Sequence, residues 1–193
     1  MCRFLQEDDS DMKIADFSEP DRYPLTEGDG ESRRLFAHKD NGNADKARVL
    51  GASVVREMIT GDTNAKFGVK DDGLYPYQPQ IRLLMTFAAV TGLQTDLPDD
   101  VLSRTALNAF YDTLKKAFPA FYEDIDESGA FTFFYLAYRR GGDVERNMGR
   151  AFAALCGADG DEVFAELGET LYSQGRMLVK KQAEETDFLP LSE

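Results

Sequence analysis

Phe131-Thr132-Phe133-Phe134-Tyr135-Leu136-Ala137-Tyr138 separates two readings of this chain. A short apolar run of this length suits a buried strand, but it also suits one side of a helix. Phe131, Phe134, Tyr135 and Tyr138 stand at i, i+3, i+4 and i+7, which is helical spacing, so the helix is the preferred reading. A strand remains the competing one.

The neighbouring segments favour the helix. Leu107, Phe110, Tyr111, Leu114 and Phe118 repeat the same spacing, with Asn108, Asp112, Lys115 and Lys116 on the opposite side. Asp96 or Asp99, flanking Pro98, is placed to cap this helix, and Pro119 to stop it. Upstream, Ile81, Leu83, Leu84, Met85, Phe87, Ala88 and Val90 leave almost no polar side on a helix over 80–91. Such a helix is expected at the centre of the fold, with Pro79 at its start and Gly92 ending it. Downstream, Asp143 precedes Val144, Met148, Phe152 and Leu155, and Asp159-Gly160-Asp161-Glu162 opens a last helix with Val163, Leu167, Leu171 and Leu178 inward. Gly168 and Gly175 lie two turns apart in that last helix, where the close approach of another helix is the expected reason for them. Ala47, Leu50, Val54 and Ile59 give a first helix from Ala44 to about Gly61. The expectation is an all-α bundle of about six helices. Ten aromatic residues between Phe110 and Tyr138 are expected to form the centre of its core.

At 193 residues the chain fits one domain with an appended arm. Residues 1–31 carry ten acids against three bases, and residues 32–48 reverse the sign. An acidic, partly irregular N-terminal arm is therefore expected over 1–43, ending in a solvated helix, with a single helical domain over 44–193. The net charge of −13 disfavours nucleic acid as a partner, because backbone binding needs clustered Lys and Arg. No run approaches the roughly 20 apolar residues that span a bilayer, so no membrane partner is expected either. Cys2 and Cys156 make neither a metal motif nor a disulfide framework, and with no signal-peptide pattern the expected location is cytoplasmic.

Three groups of residues have chemistry worth locating. Asp124, Asp126 and Ser128, followed by Gly129, match the early positions of a calcium loop. Tyr135 stands where that loop needs a bidentate glutamate, so a helix-capping turn is the preferred reading. Arg139, Arg140, Arg146 and Arg150 surround Gly141-Gly142 and suit an anion, with ordinary salt bridges to Glu145, Asp159 or Glu162 as the alternative. Tyr111, Tyr122, Tyr135 and Tyr138 place hydroxyls among the aromatic helices, where they suit a pocket or a packed core. Glu162, Glu166 and Glu169 read as a solvated helix side. His38 is the one histidine and reads as a surface residue, which leaves nothing to build a histidine-based catalytic or metal site. No cofactor is expected.

The reading preferred from these features is a non-enzymatic protein that works through a protein partner or as a homo-oligomer. The apolar tail Phe188-Leu189-Pro190-Leu191 would add to such a surface if left exposed. A protein binding a small anion or apolar molecule, or an enzyme without a familiar motif, is the alternative.

Overall fold

In the computed structural model, residues 30–58, 72–127 and 129–191 are described. They form eight α-helices and no strand. These are α1 (Gly30–Asp40), α2 (Asn43–Met58), α3 (Gln78–Thr95), α4 (Asp100–Ala117), α5 (Pro119–Glu127), α6 (Ala130–Arg139), α7 (Val144–Leu155) and α8 (Glu162–Glu185), with a 3-10 turn over Asp72–Tyr77 before α3. The all-α expectation holds, and the Phe131–Tyr138 run is a helix. The two helices beyond the expected six are α1, inside the presumed arm, and α5, which begins at the proline that ends α4.

Helix α3 is the centre. From Leu83 to Leu93 every residue is buried, and α8 runs along it. Around this pair, α2 packs on α4, and α7 on α8, through the broadest contacts in the molecule. The aromatic segment is a flank rather than the centre: Phe110 and Phe134 are buried, whereas Phe133 and Tyr135 are exposed. Two facing helices must share the apolar side chains of α3, so bulky rings at one end cannot all turn inward.

Helix starts follow local chemistry. Asp99 accepts from Val101 N at 2.7 Å and opens α4; Asp143 accepts from Arg146 N at 3.0 Å and opens α7. For α8 the cap is Asp161, which takes the N–H groups of Val163 and Phe164, and not Asp159. Gly92 does not end α3, which continues to Thr95. A Cβ there would stand 2.7 Å from Val179 Cγ1, so this glycine serves the contact with α8 inside the helix. Gly168 and Gly175 serve the expected purpose: a Cβ on the first would lie 2.6 Å from Phe152 Cβ, and on the second 3.0 Å from Ala88 Cβ.

The largest departure lies in α1 and the start of α2. The segment expected to be a solvated helix buries Ser32, His38 and Asn43. His38 is 3% exposed, against the expected surface position. Polar neighbours explain it: His38 Nδ1 is hydrogen-bonded with the Asn43 carboxamide at 3.2 Å, and Nε2, without a hydrogen bond, stands 3.6 Å from the Asp99 carboxylate. Buried polar groups persist where partners replace water.

Candidate functional site

The angle between α6, α7 and the start of α8 is lined by small residues. Ala137 comes from α6, Ala151 and Ala154 from α7, and Ala165 from α8. No side chain at these positions is long enough to fill the space between the helix axes. A surface groove of about 420 Å³ results. Phe133 and Leu136 form one wall and remain 43% and 62% exposed. With Arg140, they mark an i, i+3, i+7 stripe along α6.

Of the four candidate arginines, Arg140 and Arg150 both line this groove. Neither has an ion pair among the described residues. Arg139 lies on the exposed side of α6, its guanidinium 5.7 Å from the centre of the Tyr135 ring. Arg146 is occupied, bridging Glu162 and Glu169 of α8, with Glu169 at 3.3 Å. Those two carboxylates hold its charge above the ordinary arginine range. The salt-bridge alternative therefore describes Arg146 and not Arg140 or Arg150. It also corrects the reading of Glu162 and Glu169 as merely solvated. Asp143 occupies the α7 N-terminus between the arginines, and Asn147 Nδ2 donates to the Gly141 carbonyl at 2.8 Å, pinning the glycine turn.

The four tyrosines do not converge. Tyr111 and Tyr122 meet edge to face at 6.4 Å, with Tyr111 also against Phe110. Burial, then the neighbouring Tyr122, pushes the Tyr111 phenol far above its ordinary range, which suits a packed ring rather than a reactive hydroxyl. Tyr138 packs edge-on to Phe87 in the core, and Tyr135 faces solvent. Asp124 is exposed on α5, whose helical backbone also includes Asp126; the side chain of Asp126 and all of Ser128 lie outside the described residues. Helix α6 opens at Gly129, at φ 62°, and the capping turn expected from Asp126 or Ser128 lies outside the described residues. Among the described residues no three His, Cys, Asp or Glu side chains converge as metal ligands.

The sequence matches no protein-family model, and comparison with curated proteins and with solved structures gives no match.

What the groove can do follows from its own chemistry. It offers an apolar wall, a floor of alanines that lets another backbone come close, and two arginines free to meet carboxylates. On the far rim Asp161 caps α8 and Glu162 pairs with Arg146, while Asp159 carries a further carboxylate there, so the groove is cationic on the side of α6 and α7 and acidic along the opposite rim. Sequence reasoning placed the arginines together but missed Phe133 and Leu136, because the i, i+3, i+4, i+7 pattern assigned the other side of α6 to the core and left these two unexplained.

The tail is the second constructed feature. Asn43, wholly buried, exchanges two hydrogen bonds with the Leu189 backbone, and Lys46 Nζ donates to the Asp187 carbonyl at 2.7 Å. Phe188 packs against the core, while Leu189 and Pro190 remain exposed. No described helix is long and apolar enough to cross a membrane.

Proposed function

We propose that this protein is a helical docking module whose α6–α7 groove receives an amphipathic helix with acidic residues beside its apolar stripe. The observation that carries this reading is the pairing of the exposed Phe133–Leu136 wall with Arg140 and Arg150, which have no ion pair among the described residues, in one groove. An amphipathic helix laid in a groove presents apolar residues at i, i+3, i+4 and i+7, which fit a wall and an alanine floor. Its flanking carboxylates then meet guanidinium groups, which bind them in a bidentate fork. In a chain of net charge −13, two arginines beside the apolar wall favour carboxylates on that side of the partner helix, and the acids of the opposite rim fix which way round it lies. This is a binding function in a cytoplasmic setting, exercised without a cofactor, nucleic acid or membrane.

The test uses a fluorescein-labelled synthetic helix with leucines at i, i+3, i+4 and i+7 and glutamates on both flanks. Anisotropy should show saturable binding that weakens with salt. Arg140→Glu/Arg150→Glu should weaken it at least tenfold. Absence of binding, or equal binding by the charge-reversed variant, contradicts the proposal.

A further inference from the structure

We propose that Asn43 and His38 form a proton-released latch on an extended peptide, the chain's own residues 187–191: the latch holds while the His38 ring is neutral, and protonating the ring frees the tail. The argument begins with the Asn43 carboxamide. Its Oδ1 accepts from Leu189 N at 2.9 Å, and its Nδ2 donates to the Leu189 carbonyl at 2.7 Å. A peptide backbone has a fixed order of donor and acceptor, so this pair settles which end of the carboxamide is which. The remaining Nδ2 proton then points at His38 Nδ1, 3.2 Å away.

Nδ1 must therefore carry a lone pair. In a neutral imidazole that places the ring proton on Nε2, which faces Asp99 Oδ1 at 3.6 Å. A second proton would have to sit on Nδ1, directly opposite the Nδ2–H donor. Asn43 is 0% exposed, so water cannot rescue the clash of donors. Turning the carboxamide over would restore the contact with His38 and break both bonds to Leu189.

The charged group that faces this ring is Asp99 at the start of α4, 3.6 Å from Nε2, and Arg34 on α1 binds Asp99 Oδ2 at 3.2 Å and Asp100 at 2.8 Å. Beside the latch, Lys46 of α2 donates to the Asp187 carbonyl of the tail. Burial works against the Asp99 charge, but the Val101 N–H, the Arg34 guanidinium and the positive charge of a protonated His38 outweigh it and hold that carboxyl below its ordinary range. Asp99 thus stays ionised on mild acidification, and an imidazolium keeps it as a partner. The contact between α1 and α4 survives, and the strain falls on Asn43 and the tail alone. Asp187 adds to it, since its φ of 46° is a left-handed conformation that a side chain disfavours. Leu189 and Pro190 are exposed, so the apolar contact that opposes release is that of Phe188 with the core, and release frees residues 189–191 first.

His38 is the single histidine, so its ring signals in an NMR spectrum of the full chain need no assignment. From about pH 8 to about pH 5, the hydrogen-exchange protection factor of the Leu189 amide is followed beside those signals. The expected result is a tenfold or greater fall in protection, in step with the ring titration. His38→Gln should keep the tail protected throughout, because its Oε1 accepts from Asn43 and takes up no proton. If that variant does not fold, His38→Leu, which also takes up no proton, should likewise hold the Leu189 protection constant across the pH range. Protection of Leu189 that persists while the wild-type ring signals shift, or equal release in His38→Gln or His38→Leu, would each overturn the latch.

Discussion

Gly149 and Ala165 meet backbone to backbone: a Cβ on Gly149 would stand 2.1 Å from the Ala165 carbonyl oxygen. This contact sets α7 close on α8, and it positions Ala151, Ala154 and Ala165 so that the floor of the docking groove is shallow and free of side chains. The site rests on a glycine that touches no ligand.

Gly149→Ala sets two effects against each other. Alanine in a helix interior gains about 1 kcal/mol over glycine. Forcing a methyl into a backbone carbonyl costs more, because neither helix can yield without lifting off the other, and a net loss of about 3 kcal/mol is expected. Urea unfolding of the wild type and variant measures it. An unchanged midpoint would mean that α7 and α8 are farther apart than this geometry requires.

The pair Asp96–Arg176 ties the end of α3 to α8 at 3.0 Å, with the Thr95 hydroxyl accepting from the same guanidinium at 2.8 Å. Both side chains are largely buried. Asp96→Ala leaves the arginine without its carboxylate and should lower stability by about 2 kcal/mol. Arg176→Met in the same chain should recover part of that loss, since no uncompensated charge remains. A double-mutant cycle reads the coupling, and strict additivity would refute it.

Alkaline pH should destabilise the fold. Burial pushes the Cys156 thiol up to about 11, and burial likewise raises the phenols of Tyr111 and Tyr172. Each group is held neutral in the folded chain and ionises more readily when unfolded. Its contribution is therefore complete below the ordinary thiol and phenol range and is lost as pH rises through it. The thermal midpoint should fall above about pH 9, and Cys156→Ala should flatten the first part of that fall. In a Cys2→Ser chain, iodoacetamide should alkylate Cys156 at pH 8 on the order of 100-fold more slowly than a free thiol, as mass spectrometry would show.

Phe133 and Leu136 separate binding from folding. They project from the side of α6 away from Phe134, which is fully buried against Phe87. Phe133→Ser/Leu136→Ser should change stability by no more than about 0.5 kcal/mol per site while abolishing binding of the acidic helix. A variant that unfolds, or one that binds as well as the wild type, would show the wall to be structural or irrelevant.

The sequence revealed the helices where one side of the pattern is apolar and the other charged. Leu107, Phe110, Leu114 and Phe118 defined α4, and Val144, Met148 and Phe152 defined α7, because burial of a stripe is a local periodic signal. Gly168 and Gly175 were legible as contact points for the same reason. The burial of His38 was not: its partners, Asn43, Asp99 and through Asn43 the backbone of Leu189, are brought together only by the fold. Gly92 misled, since a glycine near a helix end and a glycine under a crossing helix look alike in one chain. The groove itself was half visible. Arg140 and Arg150 stood out as charges, but the alanines that form the floor read as ordinary helix residues, and only the neighbouring helices reveal the space they leave.

The most direct measurement is an amide chemical-shift footprint of the acidic amphipathic helix on the isotope-labelled full chain. The account predicts shifts concentrated on Phe133, Leu136, Arg140, Arg150 and Ala154, with α2 and the tail unmoved. A footprint centred elsewhere, or none at saturating peptide, would contradict it.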